Sequence, residues 1–309
     1  MGVVDESERT TADATALLGA GFGVALLVCA AAELAAFASP LLVFHGGFFV
    51  NDWPEAQGPF HLLFAAVLGV LGLAVLVRRG LPAVVLCVVV PSLAVAAADG
   101  GFGFYLAMRA RYSSPSGFAP TPHATVGTWG ALVVALLGAV LVVRALPTLR
   151  TMSTIRLDAR AALGATACAA ALVVALLLNR FADSISGRAD HQFGAAFFGF
   201  GSGVHGLDLV AAVVRGVIVL LAVGGGVLFA GALGRTRPAA LLLVSSAFGA
   251  LLFDNYWLFD LRRDVSLLPA FWLLVAGAAA TVLLAGWCWL GEPRVQPPAA
   301  APDVATLAG

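Results

Sequence analysis

Long apolar runs, each about as long as a membrane-crossing helix, constrain this chain more than any other feature. Of its 309 residues, 61% are hydrophobic and only 11% are charged, and the mean hydropathy is +0.99. A soluble domain of this size could not bury so much apolar surface, whereas the hydrocarbon of a bilayer can solvate it. The sequence therefore predicts an all-α, polytopic integral membrane protein whose main partner is the lipid bilayer.

The lengths of the apolar runs predict how many helices cross the membrane. A crossing needs about 20 apolar residues, and the short polar segments at the two ends are typical of disordered tails. We predict four regions: a disordered tail at 1–14, a four-helix unit at 15–150, a second four-helix unit at 151–290 and a Pro/Ala-rich tail at 291–309. The eight predicted spans are at about 15–38, 60–78, 81–98, 127–146, 160–179, 207–232, 239–258 and 267–290.

The distribution of arginine predicts the orientation of these helices. Ten arginines lie in the tails and in the links after the second, fourth and sixth spans, whereas six lie in the other links. Because cytoplasmic loops carry the excess of positive charge, we predict a cell-membrane protein with both termini in the cytoplasm. The net charge is zero and there is no basic tract, so nothing indicates a nucleic-acid partner.

Sequence landmarks recur in the same order in the two halves of the chain. Each half would contain four spans, an even number, so both copies would have the same orientation and be related by an axis along the membrane normal. We therefore predict a tandem 4+4 parallel repeat. The matching landmarks are Cys29 with Cys168, His61 with His205, Pro82 with Pro238, Asp99 with Asp254, and Trp129 with Trp272.

Two charged residues fall inside predicted spans. Glu33 lies ~8 Å below the outer end of the first span and Arg215 ~12 Å below that of the sixth, at 1.5 Å per residue. An unpaired charge at such a depth costs at least ~2.5 kcal/mol. We therefore expect Glu33 to pair with Arg215, or Arg215 to pair with Asp208, two helical turns away on its own face. Such a pair could lock two helices together or bind a substrate or proton.

Two aspartates, Asp99 and Asp254, end predicted spans and are each followed by aromatic residues, among them Tyr105, Tyr256 and Trp257. The pattern is typical of an interfacial aromatic belt. It also fits acids in partly dry sites that donate protons to a substrate. The two aspartates are therefore candidates for catalysis. Candidates for substrate binding are Glu33, Arg215, Asp208, Tyr105, Tyr256 and Trp257.

All five histidines lie in or beside the predicted outer segments. Polar residues collect where water is, but imidazole is also the commonest transition-metal ligand. No HxxxH or HExxH spacing is present. If a metal is bound, His61 and His205 are the expected ligands, because repeat-related positions could converge near the axis. The sequence does not identify a cofactor.

The triplet Gly224-Gly225-Gly226 interrupts the sixth span. Such a triplet can act as a hinge, or it can allow another helix to approach closely. Small residues are frequent at other positions of the predicted helices, so we expect a close crossing here.

Three classes of function fit these features. The repeat and the intramembrane charges favour a transporter or channel for a small solute or ion, and no ATP-binding motif is visible. The outward histidines, aspartates and aromatics fit a membrane enzyme at the outer leaflet, either a metal-dependent oxidase or an acid-initiated cyclase of a lipid-like substrate. The third class is a non-catalytic subunit of a membrane complex. Whether the chain is an enzyme, and whether it forms an oligomer or binds a partner subunit, stays open.

Overall fold

The protein is described by a computed structural model that covers most of the predicted spans. The described residues are 19–38, 42–43, 49–50, 59–78, 83–113, 123–151, 158–178, 181–183, 206–253 and 265–291. The predicted N-terminal tail at 1–14 and residues 292–309 of the predicted C-terminal tail lie outside the described residues.

The described residues are predominantly helical. The first half contains α1 (Ala20–Ala38), α2 (Pro59–Arg78), a 3-10 segment (Ala83–Val88) that leads into α3 (Val90–Ser113), and α4 (Val126–Thr151). The second half contains α5 (Ala159–Leu177), α6 (Leu207–Leu220), a π-helical turn (Leu221–Gly225), α7 (Gly226–Leu233), α8 (Arg237–Phe253) and α9 (Pro269–Leu290).

Five of these helical segments are long and apolar enough to cross a membrane, counted over the described residues. They are α2, most of α4, α5, α6 continued through α7, and α9. The apolar parts of α1 and α8 are shorter. These helices indicate a multi-pass membrane protein, as the apolar runs predict.

The surface of the bundle is apolar, as expected for helices solvated by lipid. Val77 is 80% exposed and Leu283 is 75% exposed. Buried positions, in contrast, include the polar side chains of Ser92, Thr128 and Thr281. Apolar side chains on the outside and small or polar side chains among the buried positions are typical of membrane helices that pack together.

Glycines let the helices pack at backbone distance. A Cβ built on Gly72 of α2 would lie 2.8 Å from the carbonyl oxygen of Gly23 of α1. A Cβ on Gly100 of α3 would lie 2.7 Å from the carbonyl oxygen of Ala131 of α4. Any larger residue would therefore force these helices apart.

Helix α3 is longer than predicted. The sequence places the end of the third span at residue 98, but the helix continues through Asp99 and the following glycines to Ser113. The glycines do not break it, because Gly100 packs directly on the backbone of α4. Asp99 therefore lies within a helix and not at its end.

Most helices pack mainly on helices of their own half, whereas α6 packs mainly on α3 of the first half. Helix α1 packs against α2 and α4, and α3 packs against α4. Helix α5 packs against α7 and α9, α8 packs against α9, and α7 also packs against α8. The two halves meet where α3 contacts α8 and α6. We call the contact between α3 and α8 the seam; there the hydroxyls of Ser92 and Ser245 share a hydrogen bond of 2.7 Å.

Short strands within the links between helices pair with one another. Strand β1 (Leu42–Val43) pairs antiparallel with β2 (Phe49–Val50) and with β3 (His123–Ala124). Strand β4 (Phe181–Asp183) pairs antiparallel with β5 (Val265–Leu267). In each half, the link after the first helix is therefore joined to the link that precedes the last helix.

The glycine triplet lies at a close crossing, as predicted. Gly224 lies within the π-helical turn, and a Cβ built on it would lie 2.8 Å from Cγ2 of Val173 on α5. A Cβ on Gly226 would collide with Oγ of Ser246 on α8. π-Helical turns often occur at functional sites, and this one lies one and a half turns beyond Arg215.

Candidate functional site

Four ionisable side chains from four helices form two pairs inside the bundle. His61 Nδ1 on α2 and Glu33 Oε1 on α1 share a hydrogen bond. Arg215 Nε on α6 donates a hydrogen bond of 2.5 Å to Asp99 Oδ1 on α3. Glu33 is 5% exposed and Asp99 is 7% exposed, so both carboxyl groups depend on these partners for polar contact.

The predicted pairing of Glu33 with Arg215 is wrong. Helix α6 carries Arg215 and packs against α3, so its carboxylate partner is Asp99. Glu33 lies near the end of α1 and meets His61 near the start of α2, across the α1–α2 hairpin. The side chain of Asp208, the alternative partner, lies outside the described residues.

The two pairs lie near each other in the bundle. Asp99 lies within electrostatic range of both His61 and Glu33. We call the four side chains Glu33, His61, Asp99 and Arg215 the charge network. It connects α1 and α2 of the first half to α6 of the second through α3.

Aromatic rings enclose the guanidinium of Arg215. Its Cζ lies 4.9 Å from the ring centroid of Phe102 and 4.5 Å from that of Phe253. Such cation–π contacts strengthen as water is excluded. Phe102 lies one turn beyond Asp99 on α3, so the same face of that helix provides both the carboxylate and a ring.

A cavity of about 440 Å³ adjoins the charge network, between α3, α4 and α6. Alanines make up much of its wall, for example Ala97, Ala98 and Ala139, and their small side chains leave the space open. Arg215 and Tyr105 bring polar groups to the wall. The volume is within the range of small-molecule sites.

The mouth of the cavity faces the apolar surface of the bundle. Val143 and Val214, both in its wall, are 63% and 52% exposed. Exposed apolar side chains of a membrane helix contact lipid. A ligand could therefore enter from the bilayer between α4 and α6.

The structure thus brings together part of the predicted site. Glu33, Asp99, Arg215 and His61 form the network, and Tyr105 lines the cavity. Asp254, Tyr256, Trp257 and His205 lie outside the described residues, so their predicted roles stay predictions. Within the described part of the chain, no group of three or more His, Cys, Asp or Glu side chains is placed to hold a metal ion.

The sequence reasoning missed two features of this site. One is the Glu33–His61 pair, for which a signal existed: Glu33 lies near the end of α1 and His61 near the start of α2, so both lie at the helix ends that the same link joins. The other is the cavity, which results from how α3, α4 and α6 pack and has no sequence motif.

The arrangement combines three chemical capacities. A carboxyl–imidazole pair can hold or release a proton, a guanidinium can donate several hydrogen bonds to an acceptor, and an apolar cavity beside it can hold a hydrocarbon group. Comparison of the chain with protein-family models, with curated proteins and with solved structures finds no match.

Proposed function

We propose that the chain is a proton-coupled transporter of a small solute, with the charge network as its coupling and binding site. The observation that carries this proposal is the meeting of two hydrogen-bonded ionisable pairs inside an apolar bundle and beside a cavity. Ionisable groups are expensive to place inside a membrane and commonly mark substrate pathways or proton relays.

The chemistry of the two pairs suggests a division of roles. Arginine stays protonated at any physiological pH, so Arg215 suits a fixed contact for the solute. Asp99 would position the guanidinium through its Nε hydrogen bond. Histidine and glutamate can both change protonation state, so Glu33 and His61 would take up and release the coupled proton.

The proposal includes eight spans arranged as two four-helix units. The packing within the halves supports this repeat, because α1 with α2 and α4 corresponds to α5 with α7 and α9, and α3 with α4 corresponds to α8 with α9. The strands support it too, since β1 with β3 corresponds to β4 with β5 in the order of the links. In transporters built from such repeats the site lies between the halves.

Within this repeat the charge network is asymmetric. The contact of α6 with α3 carries the Arg215–Asp99 pair. The related contact of α2 with α8 is aromatic: the ring centroids of Phe60 and Phe64 lie 5.9 Å and 6.2 Å from that of Phe248. One contact could thus serve as the solute site while the other stays closed.

The arginine distribution supports a cell-membrane location with cytoplasmic termini. In that orientation Glu33, His61 and Arg215 all belong to the extracytoplasmic half of their helices. The solute would therefore be captured from the outer side or the outer leaflet.

Proteoliposomes that enclose a pH-sensitive dye test the transport proposal. Organic acids, organic cations, sugars and amino acids are added in turn, and at least one class should start proton movement across the membrane. Glu33→Gln should abolish that movement while leaving solute exchange. Asp158→Asn is the matched control, because it makes the same change at the N-cap of α5, where asparagine caps about as well as aspartate.

The proposal would be abandoned if no solute class moved protons, or moved at all, with folded protein in the vesicles. Movement that Glu33→Gln leaves fully coupled would remove the proton role of the Glu33–His61 pair.

A further inference from the structure

We infer that the cavity between α3, α4 and α6 binds a single-chain amphipathic acid, whose anionic group contacts Arg215 and whose hydrocarbon lies among the alanines. The inference names the substrate class of the proposed transport site. It rests on the proposed function for transport of the ligand, but not for its binding. Binding can be measured without transport.

The shape of the cavity fits an elongated ligand. Its wall on α3 runs from Ala94 to Tyr105, which is about 16 Å at 1.5 Å per residue. The volume of about 440 Å³ lies toward the small end of ligand sites. A long and narrow space of this size suits one chain better than a phospholipid with two.

The walls are polar in one part and apolar in the other. Arg215 and Tyr105 lie toward the end of α3 that carries Phe102. The remaining wall toward the other end is formed by small or aliphatic residues, among them Ala94, Ala97 and Ile218. A ligand matched to this cavity therefore needs a polar group at one end and a hydrocarbon at the other.

The polar group should be an anion that accepts hydrogen bonds. A guanidinium has five N–H donors and no acceptor, and the bond to Asp99 is made through Nε. Arg215 is part of the cavity wall, whereas the buried Asp99 is not. Carboxylates, sulfonates and phosphates can each present two oxygens to the remaining donors in charge-assisted hydrogen bonds.

The route of entry also favours an amphipathic ligand. The exposed side chains at the mouth, Val143, Val214 and Ile218, are apolar. A molecule that partitions into the bilayer would reach the mouth directly, whereas a fully polar solute would have to cross this apolar rim.

Photolabelling in phosphatidylcholine vesicles tests the inference. The probe is dodecanesulfonate with a diazirine near the end of its chain, which stays anionic at any working pH; dodecanol with the same label is the uncharged control. Mass spectrometry should find the sulfonate on α3, α4 and α6, and unlabelled dodecanesulfonate should compete. Equal labelling by dodecanol would overturn the role of Arg215. Competition by phosphatidylglycerol at the same concentration would show a two-chain lipid site and overturn the inference.

Three variants make the test specific. Ala139→Phe fills the cavity without replacing any residue of the charge network and should abolish sulfonate labelling. Ala280→Phe, the same change at an exposed alanine of α9, should leave it intact. Arg215→Lys keeps the charge but loses the planar fork, and should weaken competition by dodecanesulfonate by about tenfold. Unchanged labelling of Ala139→Phe would overturn the inference.

The two proposals can fail separately. Labelling at the cavity without any solute-driven proton movement would support the site and contradict the transporter. Proton movement driven by another solute, without sulfonate labelling, would support the transporter and contradict this ligand class.

Discussion

At the scale of single residues, we expect a conservative change of Asp99 to lower the stability of the protein more than the same change at a less buried aspartate. Asp99→Asn leaves Arg215 charged and mostly buried without its carboxylate. We expect the free energy of unfolding to fall by about 3 kcal/mol, measured by SDS titration in mixed micelles. Asp158→Asn is the control, because its asparagine can still cap α5.

The double variant Asp99→Asn/Arg215→Gln should lose less stability than Asp99→Asn alone, because no charge is then left without a partner. A loss for Asp99→Asn no greater than that of the control would mean that the pair contributes nothing to folding.

The partner of Glu33 can be identified by double-mutant cycles. We expect a coupling energy of about 1 kcal/mol or more between Glu33→Gln and His61→Gln, because the two side chains share a hydrogen bond. The coupling between Glu33→Gln and Arg215→Gln should be smaller, since Arg215 bonds to Asp99. The same SDS titration measures both cycles. A larger coupling energy between Glu33 and Arg215 than between Glu33 and His61 would favour the Glu33–Arg215 pair predicted from the sequence.

The sequence predicts which side chains belong to the site better than it predicts how they pair. Glu33 and Arg215 stand out because charges are rare in apolar runs. Their similar depth suggests a pair, but depth is one coordinate, and a pair also requires neighbouring helices. That α6 lies beside α3 follows from packing across the two halves, which no local pattern encodes.

At the scale of helices, the close contact of α3 with α4 depends on Gly100 but not on the neighbouring Gly101. A Cβ on Gly100 would meet the backbone of α4, whereas a Cβ on Gly101 would lie 3.6 Å from Cβ of Ala135, an ordinary contact. We expect Gly100→Ala to lower thermal stability through a packing cost of about 1–3 kcal/mol. Gly101→Ala should be neutral or stabilising, because alanine favours the helix. Equal effects of the two changes would contradict the described contact.

The crossing of α7 with α8 offers a rescue experiment. Gly226→Ala would place a methyl group against Oγ of Ser246, and a Cβ on the adjacent Gly225 meets no atom within 4 Å. Gly226→Ala should therefore destabilise the protein and Gly225→Ala should not. Adding Ser246→Gly should restore most of the thermal stability of Gly226→Ala, since the hydroxyl of Ser246 has no hydrogen-bond partner among the described residues. No rescue would show that another contact limits this crossing.

The apolar runs locate the helices, but they do not determine all ends. Hydropathy predicts the end of the third span at residue 98, because aspartate and glycines follow. The helix continues because Asp99 is paired with Arg215 and Gly100 packs on α4. Both causes lie on other helices, so a local pattern cannot reveal them.

At the scale of the whole molecule, each half should be a unit of assembly. Most helices pack mainly on helices of their own half, and Asp158 caps α5 at the start of the second half. We expect residues 1–157 and 158–309, produced as separate chains in one cell, to purify together. Asp99→Asn in the first chain should reduce the yield of the complex, because the Arg215–Asp99 bond crosses between the halves.

A first chain that purifies without the second, while both are present in the membrane, would contradict this assembly. Truncation within α5 instead of before it serves as the control, because it removes the packing of α5 on α7 and α9.

The paired strands have a mechanical consequence for the molecule. Within the described residues, β1 with β3 and β4 with β5 tie links of the same half together, and the Ser92–Ser245 bond is a small polar contact across the seam. The strands stiffen each half internally, whereas the junction between the halves is held by the packing of α3 on α8 and α6 and by the Asp99–Arg215 pair. If one half rocked against the other, as in carriers built from repeats, the motion would have to break or carry along the Asp99–Arg215 bond, because this bond joins α3 of one half to α6 of the other.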